Sequence, residues 1–348
     1  MRTFLTSSRR SITAAAVAAA LVVIATATLP AQAPILVKMA TMVPDGSSWH
    51  LVLKEVAAQW GKVSAGKVKV NLYAGSSAGE DPDVVRKMTL GTLNAAVLTS
   101  VGISELDKTV YALSIPMAYE SYEEVYYVLD KMRPRLEANI LAKGYVVLNW
   151  ADGGWVQFFA QKPVAAPDDL RKLKLFSWAG DPKSTEIWQS AGFKPVPLPS
   201  TELATSLQTG LTEAFSAPPQ VAALTNYYAN AKNMTDMKWA LLLGATVIKK
   251  DTWEKIPADL RPQLLKIAVD AGVKLQDAIR KGGIDDVAAM KTKGLNVVPV
   301  DAKTLELWRK TAETFYPKIR GGFIPADAFD EALKYRDEYR RQKAAPKK

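Results

Sequence analysis

The 348-residue chain has no cysteine and one histidine. The first absence removes disulfides, thiolate nucleophiles, iron–sulfur clusters and every Cys-containing zinc site; the second removes His-rich metal sites. No acidic cluster has the spacing of a calcium loop. Carboxylate pairs such as Asp168-Asp169 and Asp285-Asp286 are adjacent in sequence, so their side chains diverge, and the first pair reads as a helix start. With these chemistries gone, the expectation is a protein that binds rather than an enzyme, with no cofactor. Hydrophobic residues make up 48% of the chain and charged residues 23%, which excludes disordered and fibrous classes. At ~100 to 200 residues per domain the length predicts two domains and a cleft between them.

Residues 1–33 read as an export signal. Arg2, Arg9 and Arg10 form a positive start, Ala14 to Leu29 carries no charge, and Ala25-Thr26-Ala27 and Ala31-Gln32-Ala33 are small-residue cleavage sites. The cut is placed between Ala27 and Ala33. Ser8-Arg9-Arg10-Ser11-Ile12 fits a twin-arginine core, so Sec and twin-arginine export both stay open. The apolar run is short of the ~20 residues of a well-anchored membrane helix, so the mature protein is expected in the periplasm and not spanning a membrane. The three arginines account for three of the net +10 charges. The remaining basic residues are dispersed, apart from Arg336, Arg340, Arg341, Lys343, Lys347 and Lys348, and no nucleic-acid partner is expected.

Two enzyme-like motifs fail on context. Gly75-Ser76-Ser77-Ala78-Gly79 matches G-x-S-x-G, but that elbow needs a downstream histidine and His50 lies upstream; it reads as a glycine-bearing turn. Gly61 to Lys67 resembles a phosphate-binding loop, but Val68 stands where a hydroxyl should hold magnesium, and the segment runs from helix to strand. It reads as a capped helix end. His50 reads as a packing residue.

Hydrophobic periodicity alternates strands with amphipathic helices. Strands are expected at Ile35–Thr41, Lys67–Tyr73, Ala95–Thr99, Tyr145–Ala151, Val156–Gln161, Leu173–Phe176, Lys194–Val196, Glu213–Ser216 and Lys238–Lys249. Helices are expected at Trp49–Val63, Asp81–Leu90, Tyr122–Lys143, Lys183–Ala191, Thr201–Thr209, Pro257–Lys293 and Ala302–Ile319, then a polar helical tail. The fold class is α/β with mixed, largely parallel sheets. Such sheets bind ligands beyond the C-terminal ends of their strands, which directs attention to the loops after Thr41, Thr99, Ala151, Phe176 and Ser216.

A family resemblance is carried by Ile35-Leu36-Val37-Lys38-Met39-Ala40 with Pro44 and Ser47, by Leu90-Gly91-Thr92-Leu93-Asn94-Ala95-Ala96, by Pro167-Asp168-Asp169-Leu170-Arg171-Lys172-Leu173-Lys174-Leu175, and by Pro195-Val196-Pro197-Leu198-Pro199 followed by Glu202-Leu203 and Ser206-Leu207-Gln208-Thr209-Gly210. In this order they resemble the periplasmic solute-binding proteins of TRAP transporters, the DctP-like family. The resemblance implies a two-domain periplasmic-binding-protein-like fold with a long connecting helix, a cleft closing over a small-molecule ligand, and delivery to the membrane subunits of a TRAP permease. On that basis the lobes are expected as 34–153 plus about 240–281 and 154–239 plus about 282–325, with residues 326–348 a C-terminal helix and basic tail.

The chain departs from the family where the resemblance implies a carboxylate clamp. An arginine usually follows the K-I element, and Phe176 stands there; a second would fall near Val156, and the later polar positions hold Phe215, Ser216 and Ala217. A buried carboxylate without a paired cation costs at least ~3 kcal/mol. The expected ligand is therefore hydrophobic or amphiphilic. Trp49, Thr99, Trp150, Trp155, Val156, Gln157, Phe176, Trp178, Phe215 and Ser216 are the candidate ligand-binding residues, with Thr99, Gln157 and Ser216 as orienting polar groups; Phe158, Trp188 and Phe193 are assigned to the core. Two alternatives stay open: a periplasmic lipid carrier serving a partner protein, and a carboxylate receptor anchored by Lys174, Lys183 or Arg86. Strand alternation is taken to turn Lys174 away from the Phe176 side.

Overall fold

A computed structural model describes residues 33–344, of which those from Ile35 onward fall in one compact unit. The expected export signal as far as Gln32 and the terminal Lys347 and Lys348 lie outside the described residues.

The first strand, β1 (Ile35–Thr41), pairs in parallel with β2 (Val68–Tyr73) and β3 (Ala95–Thr99). Helix α1 (Ser48–Val63) connects β1 to β2. Ser47 caps it by accepting from the His50 amide at 3.2 Å, and Trp49, Val52, Leu53, Val56 and Trp60 form its buried stripe. Gly66, at φ +80, ends the turn that follows, a conformation that favours glycine. His50 is buried, and its Nδ1 accepts from the Gly46 amide, which accounts for it as a packing residue. The Gly75 to Gly79 segment is a turn with Gly75, Ser76 and Gly79 all at positive φ.

Helix α2 (Asp81–Thr89) returns the chain to β3, and the short α3 (Ser100–Ser104) and a 3₁₀ turn at Lys108–Ser114 lead to α4 (Tyr122–Ala142). The next strand, β4 (Tyr145–Ala160), is 16 residues long. The sequence pattern predicts two strands here, Tyr145–Ala151 and Val156–Gln161, separated at Asp152-Gly153-Gly154. The chain instead runs through in extended form, with a register shift between Asp152 and Trp155 and Gly154 at φ +93.

After β4 come α5 (Pro167–Arg171), β5 (Lys174–Trp178), α6 (Pro182–Ser190), β6 (Lys194–Leu198), α7 (Leu203–Thr209), β7 (Ala214–Ala217) and α8 (Pro219–Leu224). Strand β8 (Asn233–Thr235) was not expected; it pairs with β4 and with β10 (Asn296–Val298), which was also missed. Strand β9 (Ala240–Lys249) returns antiparallel to both β3 and β4. Then follow α9 (Lys250–Lys255), the 32-residue α10 (Arg261–Thr292), α11 (Ala302–Glu313), α12 (Tyr316–Ile319) and α13 (Ala326–Ala344). The expected Ala302–Ile319 helix is thus two pieces.

The strands run β2-β1-β3-β9-β4-β7-β5-β6, with β8 and β10 branching from β4. Residues 145–156 of β4 pair with β9 in one sheet, and residues 157–160 pair with β7 and β8 in the other. One strand therefore belongs to both sheets. The architecture is the expected mixed α/β fold, with the long α10 lying along β4 and touching α1 and α8. Its buried face is Leu264, Ala268, Ala271, Gly272, Leu275 and Ile279, a helical stripe, and Gly272 gives close approach: a Cβ there would stand 3.2 Å from that of Asn149. Helix α13 is tied to α4 by Arg340, which donates to the buried Glu124 at 2.5 Å, and by Arg135 with Glu331 at 2.8 Å.

Candidate functional site

Two neighbouring cavities lie beyond the strand ends. The larger, about 460 Å³, is lined by Thr41, Trp49, Thr99, Ala151, Asp152 and Leu243 from the first-sheet side, and by Ser200, Leu203, Val221 and Tyr227 from the other. The second, about 380 Å³, has an aromatic wall of Tyr111, Phe176, Trp178, Trp188, Trp239 and Phe315. Ser216, Ala217, Val221 and Leu242 line both. Thr41, Thr99, Ala151, Phe176 and Ser216, expected from the sequence as strand ends, each contribute to one or both walls, although Ala151 lies in the middle of β4 and Phe176 at the centre of β5.

The electrostatics are one-sided. Among the described residues, no Lys, Arg or His lines either cavity, and the carboxylates in their walls are Asp152 and Asp181. Burial raises both carboxyls above the usual carboxylate range, against hydrogen bonds and the nearby charges of Arg280 on Asp152 and of Lys183 on Asp181, which lower them. Asp152 Oδ2 accepts from the Tyr126 hydroxyl at 2.7 Å and its Oδ1 from the Gly154 amide at 3.0 Å. Asp181 caps α6 by accepting from the Ser184 amide at 3.1 Å.

Six of the ten candidate residues reach the cavities: Trp49, Thr99, Val156, Phe176, Trp178 and Ser216. Four do not, and strand geometry explains most of this. Val156 faces the cavity, so its neighbours Trp155 and Gln157 turn to the opposite side of β4. Trp155 is buried 5.5 Å from the Tyr122 ring. Likewise Ser216 faces the cavity, and Phe215 is buried on the other side, stacked on Phe159 at 5.0 Å and 10°. Trp150 is buried with its Nε1 donating to Glu137 at 3.0 Å.

The hydroxyl of Thr99 is already engaged: it donates to Asp81 at 2.7 Å and accepts from the Val101 amide at 3.2 Å. Its expected role of orienting a ligand is therefore in competition with capping α3. Among the residues assigned to the core, Phe158 and Phe193 are buried, whereas Trp188 is half-buried and lines the aromatic cavity.

Lys174, Phe176 and Trp178 share one face of β5, since residues two apart in a strand point the same way; the expectation that Lys174 faces away from Phe176 was incorrect. The lysine is nonetheless exposed at the far end of the strand, its ammonium donating to the Gly210 carbonyl at 2.5 Å. Arg86 pairs with Asp83 at 2.9 Å, and Lys183 is exposed at the start of α6. None of the three lines either cavity.

Cavity residues that sequence reasoning missed include Tyr111, Tyr227, Leu242 and the Ser200–Thr201 segment. Their place depends on which loops meet across the sheets, for which the local pattern carries no signal. Trp239, also in the aromatic wall, lies just before β9 and packs on Trp188 with centroids 5.1 Å apart.

Comparison with known proteins fits this geometry. The family model described as bacterial extracellular solute-binding protein, family 7 (DctP) matches residues 39–321. The 2,3-diketo-L-gulonate-binding periplasmic protein of Escherichia coli is 24% identical over 329 residues, covering 92% of this chain and 98% of that protein. A TRAP periplasmic solute-binding protein of Ralstonia eutropha, solved with bound (S)-2-acetolactate, superposes with a TM-score of 0.81 at 21% identity, covering 87% of this chain and 99% of that one. A second, from Fusobacterium nucleatum with bound sn-glycerol 3-phosphate, has a TM-score of 0.81 at 20% identity, covering 89% and 99%. Among the described residues no helix is long and apolar enough to cross a membrane. The members of this family are binding proteins rather than enzymes, and the chain belongs to it: a DctP-type extracellular solute-binding protein.

Proposed function

We propose that the chain is the extracytoplasmic receptor of a TRAP-type permease, and that it captures a small, largely apolar solute without a formal negative charge. The observation that carries the second part is the wall chemistry: two adjoining cavities with aromatic and aliphatic linings, two carboxylates and no cationic side chain. The structurally similar proteins hold 2-acetolactate and glycerol 3-phosphate, both anions. In the present cavities an anion would meet Asp152 and Asp181 in the walls, with the nearest cations, Arg280 and Lys183, set behind those carboxylates rather than in the lining, an arrangement that costs several kcal/mol for a buried charge left unpaired. Phe176 and Trp178 instead offer ring faces, each contributing ~1.5 to 3 kcal/mol on burial.

In this reading the lobes are residues 34–153 with about 240–281, and 154–239 with about 282–325. Ligand contacts made from both sides favour closure by shifting the population of closed molecules. Export by the segment before Ile35 would deliver the receptor to the periplasm, where the permease collects the solute.

Native mass spectrometry of protein purified from its own source tests the ligand class. The expected co-purified mass is that of a neutral or amphiphilic molecule. A small dicarboxylate retained in the cleft, or calorimetric binding of succinate stronger than that of its diamide, would overturn the reading. A lipid-sized mass without any TRAP permease partner in pull-downs would favour the carrier alternative.

A further inference from the structure

Between the two cavities' outer edges one carboxylate reaches across the cleft. Glu80, in the segment between β2 and α2, belongs to the first-sheet side. Its Oε2 accepts from Trp178 Nε1 at 2.6 Å and its Oε1 accepts from Ser200 Oγ at 2.6 Å. Both donors come from the second-sheet side, Trp178 at the end of β5 and Ser200 just after β6. Trp178 lines the aromatic cavity and Ser200 the larger one, so a single side chain holds one element of each wall.

A second, independent constraint acts on the same ring. The indole of Trp178 lies over Gly180 so closely that a Cβ there would stand 2.8 Å from Cε2 and 2.9 Å from Cζ2. Gly180 therefore leaves the space the ring needs, and Glu80 fixes the ring's polar edge. Glu80 makes no ion pair among the described residues, which leaves its two oxygens to these neutral donors. Hydrogen bonds to an ionised acceptor are roughly twice as strong as neutral ones, and both can form only while the two sides are together.

We propose that Glu80 is a positioning residue and cross-cleft latch: it holds Trp178 in place as cavity wall and, by gripping Trp178 and Ser200 from the opposite side, favours the closed molecule. This goes beyond the ligand-class reading and does not depend on it, because the latch is built entirely from the chain's own groups.

The absence of cysteine makes the test direct. Cysteines introduced at the exposed positions Leu90, after α2, and Gln189, on α6, carry spin labels whose separation reports closure by double electron–electron resonance without ligand. The expected result is a rise of at least about thirtyfold in the open-to-closed ratio for Glu80→Ala, matching the loss of two net hydrogen bonds, with a smaller rise for Ser200→Ala. Trp178→Phe removes the N–H together with the five-membered half of the indole; it should raise the ratio at least as much as Ser200→Ala, and should add little to Glu80→Ala in the double variant. Gly180→Ala should displace the ring and raise the ratio as well. Melting of each variant by circular dichroism separates closure from folding. Unchanged distance distributions in Glu80→Ala and Trp178→Phe, or fully additive effects in the double variant, would overturn the proposal. Either outcome leaves the ligand-class reading untouched, since that reading is judged on what is bound.

Discussion

Thr99 grips Asp81 twice, donating its backbone amide to Oδ2 at 2.9 Å and its hydroxyl to the same oxygen at 2.7 Å. Asp81 is fully buried, and burial raises its carboxyl from the ordinary 3.8 to about 6 despite these bonds. A raised acid binds more protons folded than unfolded between those values. Its contribution to stability is therefore full below about pH 4 and is lost as the pH rises through 6, by on the order of 3 kcal/mol for two pKa units. Asp81→Asn removes the titration. Its stability relative to wild type should climb by about 2 to 3 kcal/mol between pH 4 and pH 7 in urea titrations; a difference that does not change with pH would contradict this.

Phe176 supplies a ring where an arginine would supply a charge. Phe176→Arg should create a site for small carboxylates, giving a measurable succinate isotherm with Kd below about 1 mM, whereas wild type gives no heat. Calorimetry decides it: equal binding before and after would show that position 176 is not what excludes acids.

Phe215 and Phe159 are stacked and inaccessible to solvent. Phe215→Ala should cost about 3 to 5 kcal/mol, the range for an aromatic ring deleted from a packed core, read from the denaturant midpoint. The volume-sparing Phe215→Leu should lose much less stability and leave solute affinity unchanged, since the ring turns away from the cavity.

Gly244 sits in β9 opposite Thr99, and a Cβ there would stand 2.6 Å from the Leu98 carbonyl oxygen. A backbone atom cannot swing aside as a side chain can. Gly244→Ala should therefore part β3 from β9 locally and lower stability by more than about 2 kcal/mol, visible as faster amide exchange in the ladder that joins the two strands.

Elements with strong local periodicity are legible in the sequence: β1 and β3 match residue for residue. The site was harder. Proximity to a strand end was a good guide to depth along the sheet, which is why Phe176, Trp178 and Ser216 reach the cavities. It says nothing about side. Phe215 beside Ser216, and Trp155 and Gln157 beside Val156, could not share a face with them, and the period of two was the signal that went unused. Asp152-Gly153-Gly154 shows the opposite limit: turn-type residues within a strand mark a bulge when neighbouring strands hold the chain extended. The bond between Glu80 and Trp178, 98 positions apart, has no local signature at all.

The ribbon formed by β4 has a mechanical consequence. Because its early residues are laced to β9 and its last four to β7 and β8, the two halves of the molecule cannot be drawn apart along the strand without tearing a ladder. The ladder to β9 is itself interrupted between Asp152 and Trp155, where Gly154 takes a φ of +93, so a relative movement of the two sheets is expected to be a rotation about that stretch. A neighbour that distinguishes a loaded molecule from an empty one would then read an angle rather than a distance.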